Sequence, residues 1–252
     1  MKKSLISLGL AAVLGLASAS ASASAINVGG VVWDPDSAQS LPSLIDFKSF
    51  GSLFETGVNT EQGLTSVTGW GQVERMNSSV NNQSSFVPGG ELTFTFTMDL
   101  VSLLPNPITG KIDFSFNNLL VNIFIDNTPN YIGDYATSSD GNLWLSLVGK
   151  GNLSGEGSNI GTGSDSGSGS ALLDVVGGLA AENFDTNSRL NGADFVFSSS
   201  FQPAGYQENG RDILSGTFDL TGNSIPEPGS LALLGLGLAG LGLVKRRRMA
   251  TK

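Results

Sequence analysis

Apolar and polar residues alternate with a period of two at several places along this chain. In Glu91-Leu92-Thr93-Phe94-Thr95-Phe96-Thr97-Met98-Asp99, Leu92, Phe94, Phe96 and Met98 fall on one side and the threonines on the other. Successive side chains of a β-strand point to opposite faces, so this spacing predicts a half-buried strand. Residues 111–116, 194–197 and 217–220 repeat the pattern, and 121–125 and 143–148 are runs rich in strand-forming residues. Turn chemistry separates them, at Pro105-Asn106-Pro107, Asp140-Gly141-Asn142, Asn191-Gly192 and Thr221-Gly222-Asn223. The spacing over 171–181 allows one short helix, and no other part of the body carries a long 3.6-residue stripe. Many short strands with turns between them predict an all-β body over 26–223, an antiparallel β-sandwich or jelly-roll-like single domain.

One stretch of that body breaks the pattern. Residues 149–170 are dominated by Gly and Ser, and such a composition offers too little apolar surface to offset the entropy of ordering, so a flexible loop is expected there. A nonapeptide calcium roll would need paired glycines and a regularly recurring Asp, and neither is present.

The two ends carry different signals. Lys2 and Lys3 precede an apolar run over 5–16 and then alternating Ala and Ser up to Ala25, the layout of a secretory signal peptide over 1–25. Ala23 and Ala25 are the small residues expected at the cleavage site, and the route is the Sec machinery. Without Cys, the exported chain has neither a lipidation site nor disulfides. Over 26–244 there are 22 acids against six bases (Lys48, Arg75, Lys111, Lys150, Arg189, Arg211), a net charge of −16. That surface repels nucleic acid, which needs a basic patch to release counterions.

Composition also limits the chemistry. The absence of His and Cys removes serine and cysteine triads and thiolate zinc sites, and there is no nucleophile elbow and no phosphate-binding loop. No cofactor is expected. A carboxylate pair of the kind glycosidases use is the one enzymatic option; Asp34 and Asp36 are the nearest pair, and nothing places a partner across a cleft from them. The expectation is therefore a protein that is not an enzyme. The same Asp34-Pro35-Asp36 is a weak calcium candidate, lacking the third acid, the Gly and the closing Glu of a calcium loop. Trp33 and Trp70 are candidate platforms for stacking on sugar rings, Trp70 because its flanking glycines suggest a turn that would expose it.

The C-terminal tail, 224–252, is the most specific feature. Residues 229–244 are 16 uncharged residues rich in Leu and Gly, about 24 Å long as a helix and short of a ~30 Å hydrocarbon core. Lys245, Arg246, Arg247 and Arg248 follow and resist translocation, which leaves the body outside and the basic end inside. Pro226-Glu227-Pro228 stands immediately before the span, and prolines hold a backbone extended, as a protease requires. A Pro-Glu-Pro, a short apolar span and an Arg cluster, behind a signal peptide, closely resemble the PEP-CTERM sorting signal. The resemblance implies recognition by exosortase in a Gram-negative bacterium that makes exopolysaccharide. It also implies processing near Pro226, Glu227 and Pro228, and only a transient hold in the inner membrane. Residues 26–37, from Ile26 through Trp33-Asp34-Pro35 to Ser37, are similar to the opening of flocculation-associated proteins of that class, with a first strand over 28–33 stopped by an Asp-Pro turn. These resemblances point to a surface or matrix protein that aggregates cells with exopolysaccharide. A carbohydrate-binding module is the alternative, and a carboxylate-based glycoside-active enzyme a third reading.

Overall fold

A computed structural model describes residues 25–35, 47–77 and 85–225. The body is all-β, and its sheet is antiparallel throughout. A hairpin of β1 (Ile26–Val28) and β2 (Val31–Trp33) stands apart from a nine-stranded sheet. That sheet comprises β3 (Phe47–Thr56), β4 (Ser66–Met76), β5 (Glu91–Pro105), β6 (Ile112–Asp126), β7 (Asn142–Gly149), β8 (Leu153–Ser158), β9 (Ser166–Gly177), β10 (Phe195–Glu208) and β11 (Arg211–Gly222).

The large antiparallel sheet is broadly consistent with the expected β-sandwich, and its strands close on one another. Successive strands pair with one another, β11 pairs back onto β3, and β9 pairs with β10, so the sheet closes into an up-and-down ring. β7 and β8 lie end to end and share one place in that ring, since both pair with β6 on one side and with β9 on the other. Closure removes the exposed strand edges that an open sheet would present.

The interior explains the glycines. Leu92, Phe94, Phe96 and Met98 point inward as their alternation predicts. Opposite these rings the neighbouring strands carry Gly: Phe96 faces Gly69, Phe94 faces Gly71, Phe218 faces Gly51, Phe114 faces Gly155, Phe201 faces Gly167 and Phe195 faces Gly222. Each ring lies over its glycine so closely that even a methyl group there would crowd it. The enclosed space is narrow, and a large side chain on one strand is accommodated by none on the next.

This pairing corrects the reading of residues 149–170. They form not a loop but β8, the start of β9 and the turns around them. Ser166-Gly167-Ser168-Gly169-Ser170 is itself a period-two strand, with glycine in the place of the inward apolar residue and the bulk supplied by Phe201 from β10 and by Phe114 from β6, beyond β8. The helix allowed over 171–181 is also absent. Residues up to Gly177 belong to β9, and only Ala181–Phe184 turns into a short helix. The strand expected over 28–33 is a hairpin, because Gly29 and Gly30 adopt positive φ angles of 65° and 100° and make a two-residue turn. The runs 111–116 and 121–125 belong to one strand, β6, whose inward phase flips at Asn117-Asn118, where Asn118 takes a φ of 52°.

The two ends of the ring are closed differently. At one, the β1–β2 hairpin brings Trp33 against Phe184 (centroids 5.0 Å), Trp144 (5.9 Å) and Phe47 (6.2 Å), all fully buried. At the other, residues 57–65 and 159–165 pair across the opening, with the Gly163 amide donating to the Val58 carbonyl (3.1 Å) and the Thr60 amide to that of Gly161 (3.1 Å).

Candidate functional site

The residues singled out in the sequence are not brought together. Trp33 is 2 % exposed and its indole donates to the Ser224 hydroxyl at 3.1 Å. Trp70 is 3 % exposed. It points outward from β4, but residues 127–141, with their own short helix Tyr135–Ser138, lie over it. Its indole donates to the Gly133 carbonyl at 2.8 Å, and Glu91 holds the covering segment by accepting the Asn130 and Tyr131 amides at 2.7 and 2.9 Å. Neither indole presents a free face to a sugar, which corrects the stacking expectation: flanking glycine signalled close packing against Phe94 and Phe96, not exposure. Asp34 is exposed, and Asp36 lies outside the described residues. Among the described residues no group of three or more acidic side chains gathers as a metal site would require. Ala23, Pro226, Glu227, Pro228, the 229–244 span and Lys245, Arg246, Arg247 and Arg248 also lie outside the described residues, whereas Ala25 is exposed at the start of the body.

What the strands do bring together is a trough on the outer wall. The inward glycines leave the outward positions of β8, β9 and β10 to serine, and the cross-strand register lines these up. One row runs Ser115, Ser154, Ser170, Ser198, Asp219 and the next Asp113, Glu156, Ser168, Ser200, Thr217, Ser52. Neighbouring strands stand about 4.8 Å apart, so hydroxyls and carboxylates recur at that interval across the wall. The depression they line measures about 640 Å³. Its floor holds no large side chain. A hydroxyl donates and accepts, and a carboxylate accepts, so the surface can exchange hydrogen bonds with a polymer bearing many hydroxyl groups. On one flank Lys48 pairs with Asp219 (3.4 Å), and Arg75 stacks over Phe50 at 4.8 Å. On the other, Phe54 stacks against Trp70. Sequence reasoning missed Ser154, Ser168 and Ser170 because it read 149–170 as a loop; the Ser-Gly alternation was the signal.

A second constellation lies inside. Glu55 points inward from β3 and lines a small apolar cavity with Asp165, Val58, Met98 and Phe114. Burial, and after it the neighbouring Asp165, push the Glu55 carboxyl up to about 8. Asp165 is raised too, by burial, against the opposing pull of the amides that donate to it, Val58 at 3.1 Å and Gly161 at 2.9 Å. Both carboxyls are 5 % exposed or less. They are two acids lining one cavity of about 20 Å³.

The body ends where the tail begins. Ser224 is held by Trp33, and the Ile225 amide donates to the Asn183 carbonyl at 2.7 Å. Residues 224–248 match the PEP-CTERM protein-sorting motif. The motif implies an exported protein, sorted to the cell surface of a Gram-negative bacterium with exosortase as its processing partner. Comparisons with curated proteins and with solved structures find no match for the chain. No helix among the described residues is long and apolar enough to cross a membrane.

Proposed function

We propose that the chain leaves through the Sec machinery, is held briefly in the inner membrane by 229–244, and is released by exosortase near Pro226, Glu227 and Pro228. At the cell surface or in the surrounding matrix, its ring of strands binds exopolysaccharide and helps cells aggregate into flocs or biofilm. It works by adhesion, not catalysis. The sorting motif carries this reading, since it marks the destination of the whole folded body. The opening over 26–37 supports the flocculation-associated type.

The trough supports the choice of partner. A water-exposed hydroxyl contributes little alone, because it trades one hydrogen bond for another. Rows repeated across the strands suit a repeating polymer, whose many weak contacts add through high effective concentration. Asp113, Glu156 and Asp219 among the lining residues, with Lys48 already paired to Asp219, would favour a neutral polymer over an anionic one. The carbohydrate-binding-module reading differs only in requiring a defined glycan, and it moves from Trp33 and Trp70 to the trough.

The deciding experiment compares the intact mass of the protein from cells with and without exosortase, together with flocculation by cells carrying the chain deleted over 226–252. Loss of the 245–248 cluster only where exosortase is present, and failed flocculation by the deletion, are expected. A mature mass that still contains Arg246 to Arg248, or undiminished flocculation, would return the tail to a plain anchor and remove sorting from the account.

A further inference from the structure

Both termini of the described body meet at the Trp33 end of the ring. The hairpin that begins at Ile26 is tied there by the Val32 amide donating to the Phe86 carbonyl (2.7 Å) and by the Trp144 indole donating to that of Val28 (3.0 Å). Ser224 and Ile225 are fixed to the same end by Trp33 and Asn183. Only residues 226–228 then separate Ile225 from the uncharged run over 229–244. Three residues reach at most about 10 Å when fully extended. Before processing, this end of the ring is therefore confined to the membrane surface, and the opposite end, with the turns around Gly63, Ile108 and Asn209, points away.

The surface of the confined end suits that position. Leu179 is 58 % exposed and its amide donates to the Leu143 carbonyl, which sets two exposed leucines side by side next to the hairpin turn. Leu190, 71 % exposed, and Ile225 stand at the same end. We propose that this apolar rim rests on the bilayer from which the chain's own span emerges, so that the unprocessed protein stands upright, trough to the side and the Glu55 end outward. The proposal rests on reading 229–244 as a span. Each leucine gains little from the interface alone, and the exposed Glu182 and Asp185 oppose contact with anionic headgroups. The short tether supplies the local concentration at which such weak contacts hold.

The chain contains no Cys, so single cysteines report position without background. Full-length chains bearing Leu179→Cys, Leu190→Cys or Ile108→Cys, each labelled with a fluorophore, would be reconstituted into phosphatidylcholine vesicles containing a headgroup-quencher lipid. Strong quenching at positions 179 and 190 and none at 108 is expected. Resistance of the chain to alkaline extraction is read in the same samples. A chain washed off by alkali overturns the span and the proposal with it. A chain that stays but is quenched equally at all three positions, or most at 108, overturns the upright docking alone. Quenching at 179 and 190 that appears only after exosortase is added assigns the rim to that enzyme and likewise overturns contact with lipid.

Discussion

The two ends of the ring solve one problem with opposite materials. At the Trp33 end, Trp33, Trp144, Phe47, Phe184 and Phe195 pack ring against ring, and the two indole N–H groups that enter each find an acceptor. At the far end the plug is backbone. Residues 57–65 and 159–165 bond to each other, and a buried carboxylate gathers their amides while a second carboxyl stands beside it. The aromatic end is held chiefly by surface removed from water. The polar end is held by hydrogen bonds around a group whose charge state pH controls.

The sharpest way to break the contrast is Trp33→Ala. It removes a large buried ring and the bond to Ser224, and is expected to destabilise the body by about 3–5 kcal/mol in urea unfolding. A loss no larger than for an exposed substitution would mean that the hairpin is an ornament and not a plug.

Next is the wall between the ends. Gly69→Ala is expected to cost about 1–3 kcal/mol, because the atoms nearest the new methyl group belong to the Phe96 ring. Adding Phe96→Leu is expected to recover part of that loss, so the double variant is more stable than the two single costs summed. Additivity in the cycle would show that the glycine is there for its backbone and not for the ring.

The polar end is probed through pH. A carboxyl whose folded pKa is raised from 4.5 to about 8 keeps a proton that the unfolded chain has released. Stability is therefore full below about pH 4.5 and falls as pH rises toward 8, with Asp165 contributing in the same direction. Glu55→Gln is expected to flatten this slope and raise the thermal midpoint at pH 8.5 relative to wild type, by about 1–2 kcal/mol of stability. Identical pH profiles for the two proteins would remove Glu55 from the account.

The smallest effect on stability falls on the trough. Ser168→Arg and Ser200→Arg change exposed outward positions and are expected to alter folding by less than about 0.5 kcal/mol. They are nevertheless expected to abolish retention on exopolysaccharide in a pull-down. Retention by the pair at the wild-type level would leave the wall without a binding role.

Legibility in the sequence followed side-chain size. Strands whose inward positions are Phe, Leu or Ile, such as β5 and β10, show themselves by alternation. The inward positions of β4 and β8 include Gly69, Gly71, Gly155 and Gly157, and these strands carry the same period with the apolar signal deleted, since the bulk sits on a partner strand. Ring closure was hidden for a related reason: the pairing of β3 with β11 is a relation between distant segments, and no local pattern encodes it. The fates of Trp33 and Trp70 depended on which loops cover them. The tail was readable because its elements are contiguous.

Closure through β3 and β11 also dictates when the body can finish folding. The first strand of the ring must find the last, so its defining contact has nearly the greatest sequence separation the body allows, and such contacts form late. A chain exported N-terminus first holds an unfinished ring, with β3 and β10 awaiting a neighbour, until Gly222 has emerged. Seven residues later the uncharged run begins. Completion of the fold and arrival of the sorting signal thus coincide, and a chain stalled before that point would carry both an open sheet and no address.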